Sequence, residues 1–159
     1  MIAIIDYGMG NLFSLSSSLK SLGYEVEITA DPERLRAADK LFLPGVGAFR
    51  DAQERLFSTG LADVIRGLAA EGKPLMGICL GMQLLFDKSY EYGEYEGLGL
   101  IPGTVVPMEG SIAPELKIPQ IGWNALHFTG LEHPAFVDTK EGEFVYFVHW
   151  CYGPACGPY

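Results

Sequence analysis

The amino-acid sequence predicts an α/β fold: an open, mostly parallel sheet flanked by helices, with some antiparallel strands in the C-terminal half. Up to residue 86, short apolar runs alternate with segments of helical period, and short connections join them. This alternation is typical of consecutive βαβ units. Beyond residue 90, strand-like runs are separated by turns, which favours antiparallel pairing. The 159 residues are enough for one domain with a sizeable core.

The individual elements follow from apolar spacing and from capping residues. An Ile-rich run at residues 1–6 ends in a glycine-rich turn, as a buried strand would. Residues 12–22 have helical spacing, and Gly23 ends that helix, while Asp31 and Pro32 begin a short one. The other predicted elements are strands at 24–29, 40–43 and 74–78, a helix at 52–70 interrupted near residues 58–60, and a helix at 81–86. The predicted C-terminal strands span 97–103, 104–108, 123–128 and 143–148.

Composition and charge exclude several classes of protein. Hydrophobic residues make up 48% and charged residues 19%, a balance that disordered chains do not have. The net charge is −9 without a Lys/Arg cluster, which argues against nucleic acid and anionic membranes as partners. No apolar run approaches the ~20 residues of a membrane helix, and the first residues lack the basic region of a signal peptide. We therefore expect a cytoplasmic protein.

The cysteines and glycines predict neither a metal site nor a bound cofactor. Cys79, Cys151 and Cys156 are odd in number and follow no metal-ligand spacing, so we expect free thiols. The turn at residues 8–10 is not followed by the third glycine of a dinucleotide-binding fingerprint. A nucleotide-binding domain is therefore disfavoured.

The strongest candidate site surrounds Cys79, between a predicted strand and a predicted helix. The stretch Gly77-Ile78-Cys79-Leu80-Gly81 is the cysteine counterpart of the nucleophile elbow. Its glycines allow the sharp turn that puts a nucleophile at the carboxyl end of a strand. A helix beginning there would favour thiolate through its dipole, and the Leu80 N–H would stabilise an oxyanion. The alternative is a buried, inert cysteine.

This stretch, extended to Gln83, resembles the nucleophile motif of class I, triad-type glutamine amidotransferases. Four other stretches are similar to one branch of that family, the glutaminase subunits of imidazole glycerol phosphate synthase from histidine biosynthesis. They are Asp6-Tyr7-Gly8-Met9-Gly10-Asn11-Leu12, Leu43-Pro44-Gly45-Val46-Gly47-Ala48-Phe49, Pro119-Gln120-Ile121-Gly122-Trp123-Asn124 and Tyr146-Phe147-Val148-His149. The resemblance spans essentially the whole chain and implies a flavodoxin-like fold for one amidotransferase domain over residues 1–159.

The resemblance implies glutamine hydrolysis through a covalent thioester. Cys79 would attack the side-chain amide of glutamine, release ammonia and leave a γ-glutamyl thioester that water converts to glutamate. The backbone N–H groups of Leu80 and Val46 would form the oxyanion hole. The residues implied in substrate binding are Gly45, Gly47, Gln83, Glu91 and His149. On the residues alone, Glu91 also fits a solvated side chain in a Tyr/Glu-rich loop.

The resemblance further implies a heterodimer with a (β/α)₈ cyclase subunit, which would receive the ammonia. Asn11, Trp123 and Asn124 match positions that face this partner. Tryptophan is typical of interface anchors, but a tryptophan in a strand also fits a protein core. The sequence leaves both interpretations of Trp123 open.

The main departure from the family concerns the general base that a cysteine nucleophile needs. The family carries its His and Glu in a C-terminal segment of the type Gln-Phe-His-Pro-Glu, which the 159 residues do not contain. We therefore expect a domain that lacks the triad His and Glu, with an inactive fragment or partner-binding module as the alternative function. His149 is a candidate for another base, although a hydrogen-bonded strand-end histidine fits it better. A different cysteine hydrolase is disfavoured by the motifs at residues 6–12 and 119–124.

Overall fold

The computed structural model describes residues 1–128, 130 and 134–154, which form two compact units. The first unit contains residues 1–106 together with 153 and 154, and the second contains residues 107–152. The sequence predicts a single domain over residues 1–159, and that boundary stays a prediction. His133 and Cys156 lie outside the described residues.

The first unit is built on a four-stranded parallel sheet with the strand order β2-β1-β3-β4. Its strands are β1 (Ile2–Ile5), β2 (Val26–Thr29), β3 (Lys40–Leu43) and β4 (Leu75–Gly77). The helices of this unit are α1 (Leu12–Ser21), α2 (Pro32–Ala37), α3 (Phe49–Ser58), α4 (Leu61–Ala70) and α5 (Leu80–Gln83). The predicted α/β fold with a mostly parallel sheet is confirmed.

Side chains of β1 alternate between two hydrophobic clusters. Ala3 and Ile5 belong to the larger cluster, which includes buried residues of α2, α3 and α4. Ile2 and Ile4 belong to the smaller one, with Leu19 of α1. The sheet therefore has apolar helix faces on both sides, as parallel sheets require. Each fully buried isoleucine of this strand stabilises the fold by about 1.5–3 kcal/mol relative to an exposed one.

Capping side chains and glycines set the ends of the helices. The Asp31 carboxylate accepts a hydrogen bond of 2.9 Å from the Glu33 N–H, and Pro32 is the first residue of α2, as predicted. The predicted interruption near residues 58–60 separates α3 from α4. Gly60 lies there with a φ of 75°, a left-handed conformation that favours glycine.

A second sheet of the first unit shows where the helix prediction at 81–86 is wrong. It contains β5 (Phe86–Ser89), β6 (Tyr95–Glu96) and β7 (Ile101–Pro107), with β5 parallel to β7 and antiparallel to β6. The Leu84 carbonyl accepts from the Leu98 N–H at 2.7 Å, and the Leu85 carbonyl from the Leu100 N–H at 2.8 Å. Because these carbonyls bond a distant segment, the helix ends after one turn. The predicted strands at 97–103 and 104–108 are replaced by the single strand β7.

The second unit contains an antiparallel hairpin. Its strands are β8 (Gln120–Ala125) and β9 (Phe144–His149), with Trp123 opposite Tyr146. A 3-10 turn at Pro134–Phe136 and β10 (Cys151–Tyr152) are the other elements described in residues 107–152. The predicted antiparallel strands of the C-terminal half are confirmed. Strand β8 begins at residue 120 rather than 123 and ends at residue 125 rather than 128.

Candidate active site

Cys79 lies on a sharp turn between β4 and α5. Its backbone has φ 55° and ψ −117°, a combination that residues with a side chain rarely adopt. The thiol is exposed, which excludes the alternative of a buried, inert cysteine. The Ile78 N–H donates to the Leu43 carbonyl at 2.9 Å, so the turn is fastened to the end of β3. The structure therefore places Cys79 at the carboxyl edge of the parallel sheet, on the elbow that the sequence predicts.

The two glycines beside Cys79 are required by close main-chain contacts. A Cβ added to Gly81 would lie 1.8 Å from the Leu43 carbonyl oxygen. A Cβ added to Gly77 would lie 2.5 Å from the Met82 Cα. Both distances are far below any possible van der Waals contact. The elbow can therefore form only where these two positions have no side chain.

The helix after Cys79 is shorter than the sequence predicts. Because α5 contains only four residues, the predicted stabilisation of thiolate by a helix dipole is reduced to that of one turn. The Leu80 N–H is the first of α5 and so has no acceptor within that helix. The Leu80 side chain is buried. A fixed backbone N–H thus follows the thiol directly, which is the arrangement an oxyanion hole needs.

The loop between β3 and α3 packs against this elbow. A Cβ added to Gly45 would lie 2.7 Å from the Gly81 nitrogen and 2.9 Å from the Leu80 Cβ. Val46 is exposed, and Gly47 has a φ of 98°, so this part of the loop faces outward in a conformation that favours glycine. The structure thereby brings together Cys79 and the two segments that the resemblance assigns to the oxyanion hole.

Tyr7 is a residue of this site that the sequence analysis did not single out. Its hydroxyl donates a buried hydrogen bond of 2.8 Å to the Pro44 carbonyl. Burial, and then the negative charge of Cys79, raise the pKa of Tyr7 to about 12. The hydroxyl also lies 2.8 Å from where a Cβ of Gly45 would be, beside the Leu80–Gly81 backbone of the elbow. The sequence signals for Tyr7 are its place two residues after the buried strand β1 and its membership of the motif at residues 6–12.

Gln83 and Glu91, both implied in substrate binding, lie in the first unit with Cys79. Gln83 is the half-buried last residue of α5, and its N–H donates to the Cys79 carbonyl at 3.1 Å. Glu91 is partly buried and its Oε2 accepts a hydrogen bond of 2.6 Å from the Phe49 N–H. Glu91 is therefore anchored to the start of α3, whereas a solvated loop residue would lack such a contact.

The remaining predicted residues outside this cluster have local roles in the structure. The Asn11 side chain accepts from the Ser14 N–H at 3.2 Å and so caps α1. Trp123 is 66% exposed, which excludes a core position, and its ring and that of Tyr146 pack in a T-shaped arrangement with centroids 5.4 Å apart. The Asn124 side chain accepts from the Gln120 amide at 2.6 Å. His149 ends β9, is exposed, and has its ring 4.8 Å from that of Phe147.

Other candidate groups do not add to the site. Cys151 is buried, and the His127 ring nitrogen lies 2.9 Å from a Glu141 oxygen on the surface of the second unit. Within residues 1–128, 130 and 134–154, no three His, Cys, Asp or Glu side chains gather in a way that would hold a metal ion. None of the helices in the described part of the chain has the length and hydropathy of a membrane-spanning segment.

Known proteins share the sequence pattern and the fold of this chain. The family model "Glutamine amidotransferase class-I" matches residues 3–150. A crystal structure titled as a glutamine amidotransferase superposes with a TM-score of 0.74 at 20% identity, covering 99% of this chain and 76% of that one. At this identity the superposition shows a shared fold.

Curated relatives narrow the family. A protein from Sulfurimonas denitrificans is 51% identical over 150 residues, which cover 94% of this chain and 72% of the relative. One from Geobacillus sp. (strain WCH70) is 52% identical over 155 residues, covering 96% and 72%. One from Halalkalibacterium halodurans is 49% identical over 151 residues, covering 94% and 70%. All three are named imidazole glycerol phosphate synthase subunit HisH. This chain belongs to the class I glutamine amidotransferases and, within them, to the HisH subunits of imidazole glycerol phosphate synthase.

Proposed function

We propose that Cys79 is the nucleophile with which this glutamine amidotransferase subunit hydrolyses glutamine to glutamate and ammonia. The observation that carries the proposal is the backbone of Cys79, held at φ 55° between two glycines that no side chain could replace. A strained turn of this kind exposes the thiol at the edge of the sheet, next to the Gly45 loop. Strain is retained at such a position when the surrounding structure fixes it for function.

The proposed reaction has two steps. The Cys79 sulfur bonds to the amide carbon of glutamine, and the carbon–nitrogen bond then breaks so that ammonia leaves with the thiol proton. Water next adds to the γ-glutamyl thioester, the carbon–sulfur bond breaks, and glutamate and the free thiol result. In both steps the negative oxygen would be stabilised by the N–H groups of Leu80 and Val46. One such donor contributes roughly 10²–10³ in rate.

The substrate would be held by groups around the elbow. We assign Gly45 and Gly47 to close backbone approach and Gln83 to a hydrogen bond with the bound glutamine. The Glu91 carboxylate would accept from the substrate's α-amino group. A carboxylate offers about four lone-pair sites, so it can accept from an amino group as well as from the Phe49 N–H. His149 stays a predicted contact of the substrate.

The ammonia would pass to a cyclase subunit, in the cytoplasm, within a heterodimer. One face of the hairpin in the second unit supports this proposal, since its large side chains are exposed. They are Ile121, Trp123, Phe144, Tyr146 and Val148. Exposed apolar patches rimmed by polar groups mark protein–protein interfaces, and tryptophan and tyrosine are frequent anchors in them. We assign Trp123 to the interface through this face. Asn124, whose side chain lies on the other face of β8, and Asn11 stay predicted contacts of the partner.

Alanine substitution tests the interface. We expect Trp123→Ala to raise the Kd for the cyclase subunit at least about tenfold, because truncating an anchor residue weakens binding by that much or more. Val137, which is 81% exposed in the second unit and lies outside the hairpin, provides the control as Val137→Ala. Titration calorimetry with both variants measures the difference. Equal affinities for Trp123→Ala and the unsubstituted chain would exclude the hairpin face.

Ammonia release from glutamine, in the presence of the cyclase subunit, tests the chemistry. Four forms of the chain would be assayed: the unsubstituted chain, the Cys79→Ala variant, the His149→Ala variant, and the chain with a family-type His-Pro-Glu segment appended. Release that requires Cys79 supports the proposal, and loss with His149→Ala would identify His149 as the base. Release that appears only with the appended segment, and still requires Cys79, supports the nucleophile and assigns the base to that segment. Release that survives Cys79→Ala, or its absence from every form, would overturn the proposal.

A further inference from the structure

The connection between β5 and β6 contains Glu91, the residue proposed to bind the α-amino group of the substrate. Ser89, the last residue of β5, pairs with Tyr95 of β6 and with Val105 of β7. Tyr92 has a φ of 54°, a left-handed conformation that residues with a side chain rarely adopt. The chain therefore turns sharply at the residue after Glu91, and the start of this turn is held between two strands.

A buried serine fixes the backbone of Glu91. The Ser89 side chain is fully buried, and its hydroxyl accepts a hydrogen bond of 3.2 Å from the Glu91 N–H. A bond from a serine hydroxyl to the N–H two residues later closes a local turn. Among the serines that the structure describes, Ser16 of α1 is the only other buried one. The hydroxyl of Ser89 thus serves the turn that contains Glu91 rather than solvent.

The Glu91 carboxylate is held from the other side by α3. Its Oε2 accepts from the Phe49 N–H at 2.6 Å, across 42 residues of sequence. Phe49 is the first residue of α3 and its side chain is fully buried, so its N–H has a fixed position. A short bond of this kind is typical of an ionised acceptor. The backbone and the carboxylate of Glu91 are therefore each fixed by a separate contact within the first unit.

We propose that Ser89 and the Phe49 N–H position the Glu91 carboxylate for the α-amino group of glutamine and thereby make the site discriminate against amides that lack this group. The inference rests on the proposed function and deepens it, since it adds Ser89 as a positioning residue that does not touch the substrate. A carboxylate that is already fixed at its backbone and at one oxygen loses little conformational freedom when an ammonium group binds. The bond between ammonium and carboxylate is also stronger than one between neutral groups.

Two chloroketones that differ only in the α-amino group measure this discrimination. One has the carbon skeleton of glutamine with the amide replaced by a chloromethyl ketone, and the other lacks its amino group. With either reagent, the Cys79 sulfur bonds to the chloromethyl carbon and chloride leaves, so the reactivity of the thiol cancels in the ratio of the two rate constants. Mass spectrometry of the Cys79 peptide follows labelling of the full chain in the presence of the cyclase subunit. Glutathione is the reference for the intrinsic reactivity of each reagent.

We expect the unsubstituted chain to react at least about tenfold faster with the amino reagent, because a hydrogen bond to a charged group contributes at least that factor. Ser89→Ala should lower this ratio at least about threefold, while the rate constant of the reagent without the amino group changes by less than about twofold. Ser89→Cys, which keeps the shape of the side chain but has a weaker acceptor, should act in the same direction.

Two further variants separate charge from structure. Glu91→Gln keeps an amide oxygen that can accept from the Phe49 N–H but has no negative charge, so it should abolish the preference for the amino reagent. Ser16→Ala removes the other buried serine hydroxyl, on α1, and should leave the ratio unchanged. Circular dichroism verifies that each variant is folded.

The outcomes distinguish this inference from the proposed function. Labelling of Cys79 that is no faster than that of glutathione with both reagents would overturn the proposed nucleophile and this inference with it. Faster labelling without a preference for the amino reagent would leave the proposed nucleophile intact and overturn the roles of Glu91 and Ser89. If the preference is lost in Glu91→Gln but kept in Ser89→Ala and Ser89→Cys, or if Ser89→Ala lowers both rate constants equally, Ser89 is not a positioning residue.

Discussion

Replacing Cys79 by glycine should leave the protein more stable than replacing it by alanine, although both changes remove the proposed nucleophile. Cys79 has φ 55° and ψ −117°, a conformation that glycine adopts without strain. A residue held in such a region stores about 1–3 kcal/mol. Glycine loses about 0.5–1 kcal/mol more backbone entropy on folding than alanine. The free energy of unfolding of Cys79→Gly should therefore exceed that of Cys79→Ala by about 0.5–2 kcal/mol.

Thermal unfolding of the two variants measures this difference. For a chain of 159 residues, each kcal/mol shifts the melting temperature by about 2–4 °C, so the glycine variant should melt about 1–8 °C higher. Ala69→Gly, within α4, is the control for the same chemical change at an unstrained position, and should lower stability by about 1 kcal/mol. If Cys79→Gly melts at or below Cys79→Ala, the turn carries no strain and the reasoning about the elbow is refuted.

Three other substitutions test the packing and electrostatics of the first unit. Gly81→Ala places a Cβ 1.8 Å from the Leu43 oxygen and should cost about 1–3 kcal/mol or more in urea unfolding, whereas Gly67→Ala, with open space around it, should gain about 1 kcal/mol. Ile65→Ala removes a fully buried side chain and should cost about 2–5 kcal/mol, and a loss below 1 kcal/mol would contradict its core position. Because the pKa of Tyr7 is raised from 10.0 to about 12, its stabilising contribution is complete below pH 10 and is lost as the pH rises toward 12. The unfolding midpoint of the unsubstituted chain should therefore fall between about pH 10 and 12, and Tyr7→Phe should reduce that fall. An equal fall in both proteins would count against the buried phenol.

The elbow could be predicted from sequence because its constraints are local. The sharp turn at Cys79 requires glycine at two neighbouring positions, and both are visible in a stretch of five residues. Likewise, the cap at Asp31 and the break at Gly60 depend on residues within one turn. Each of these features follows from steric rules that act between neighbours in the chain.

The parts that sequence reasoning missed depend on distant partners. The apolar run at residues 81–86 fits a buried helix as well as a strand, and only the bonds from Leu98 and Leu100 decide between them. The bond from Tyr7 to Pro44 spans 37 residues, and the bond from Phe49 to Glu91 spans 42. A single sequence contains no signal for such pairs, since each residue type is common in turns and loops.

The non-local cap of α3 also bears on the order in which the chain folds. Ala48 leaves the first turn of the helix without a local acceptor, so residues 49–58 alone would fray at that end. The first turn becomes stable only after β5 has docked and brought Glu91 to Phe49. Amide hydrogen exchange at Phe49 is therefore a reporter of docking by the segment that contains β5, rather than of helix formation. The contact with Glu91, 42 residues later in the sequence, thus completes a helix that the ribosome synthesises earlier.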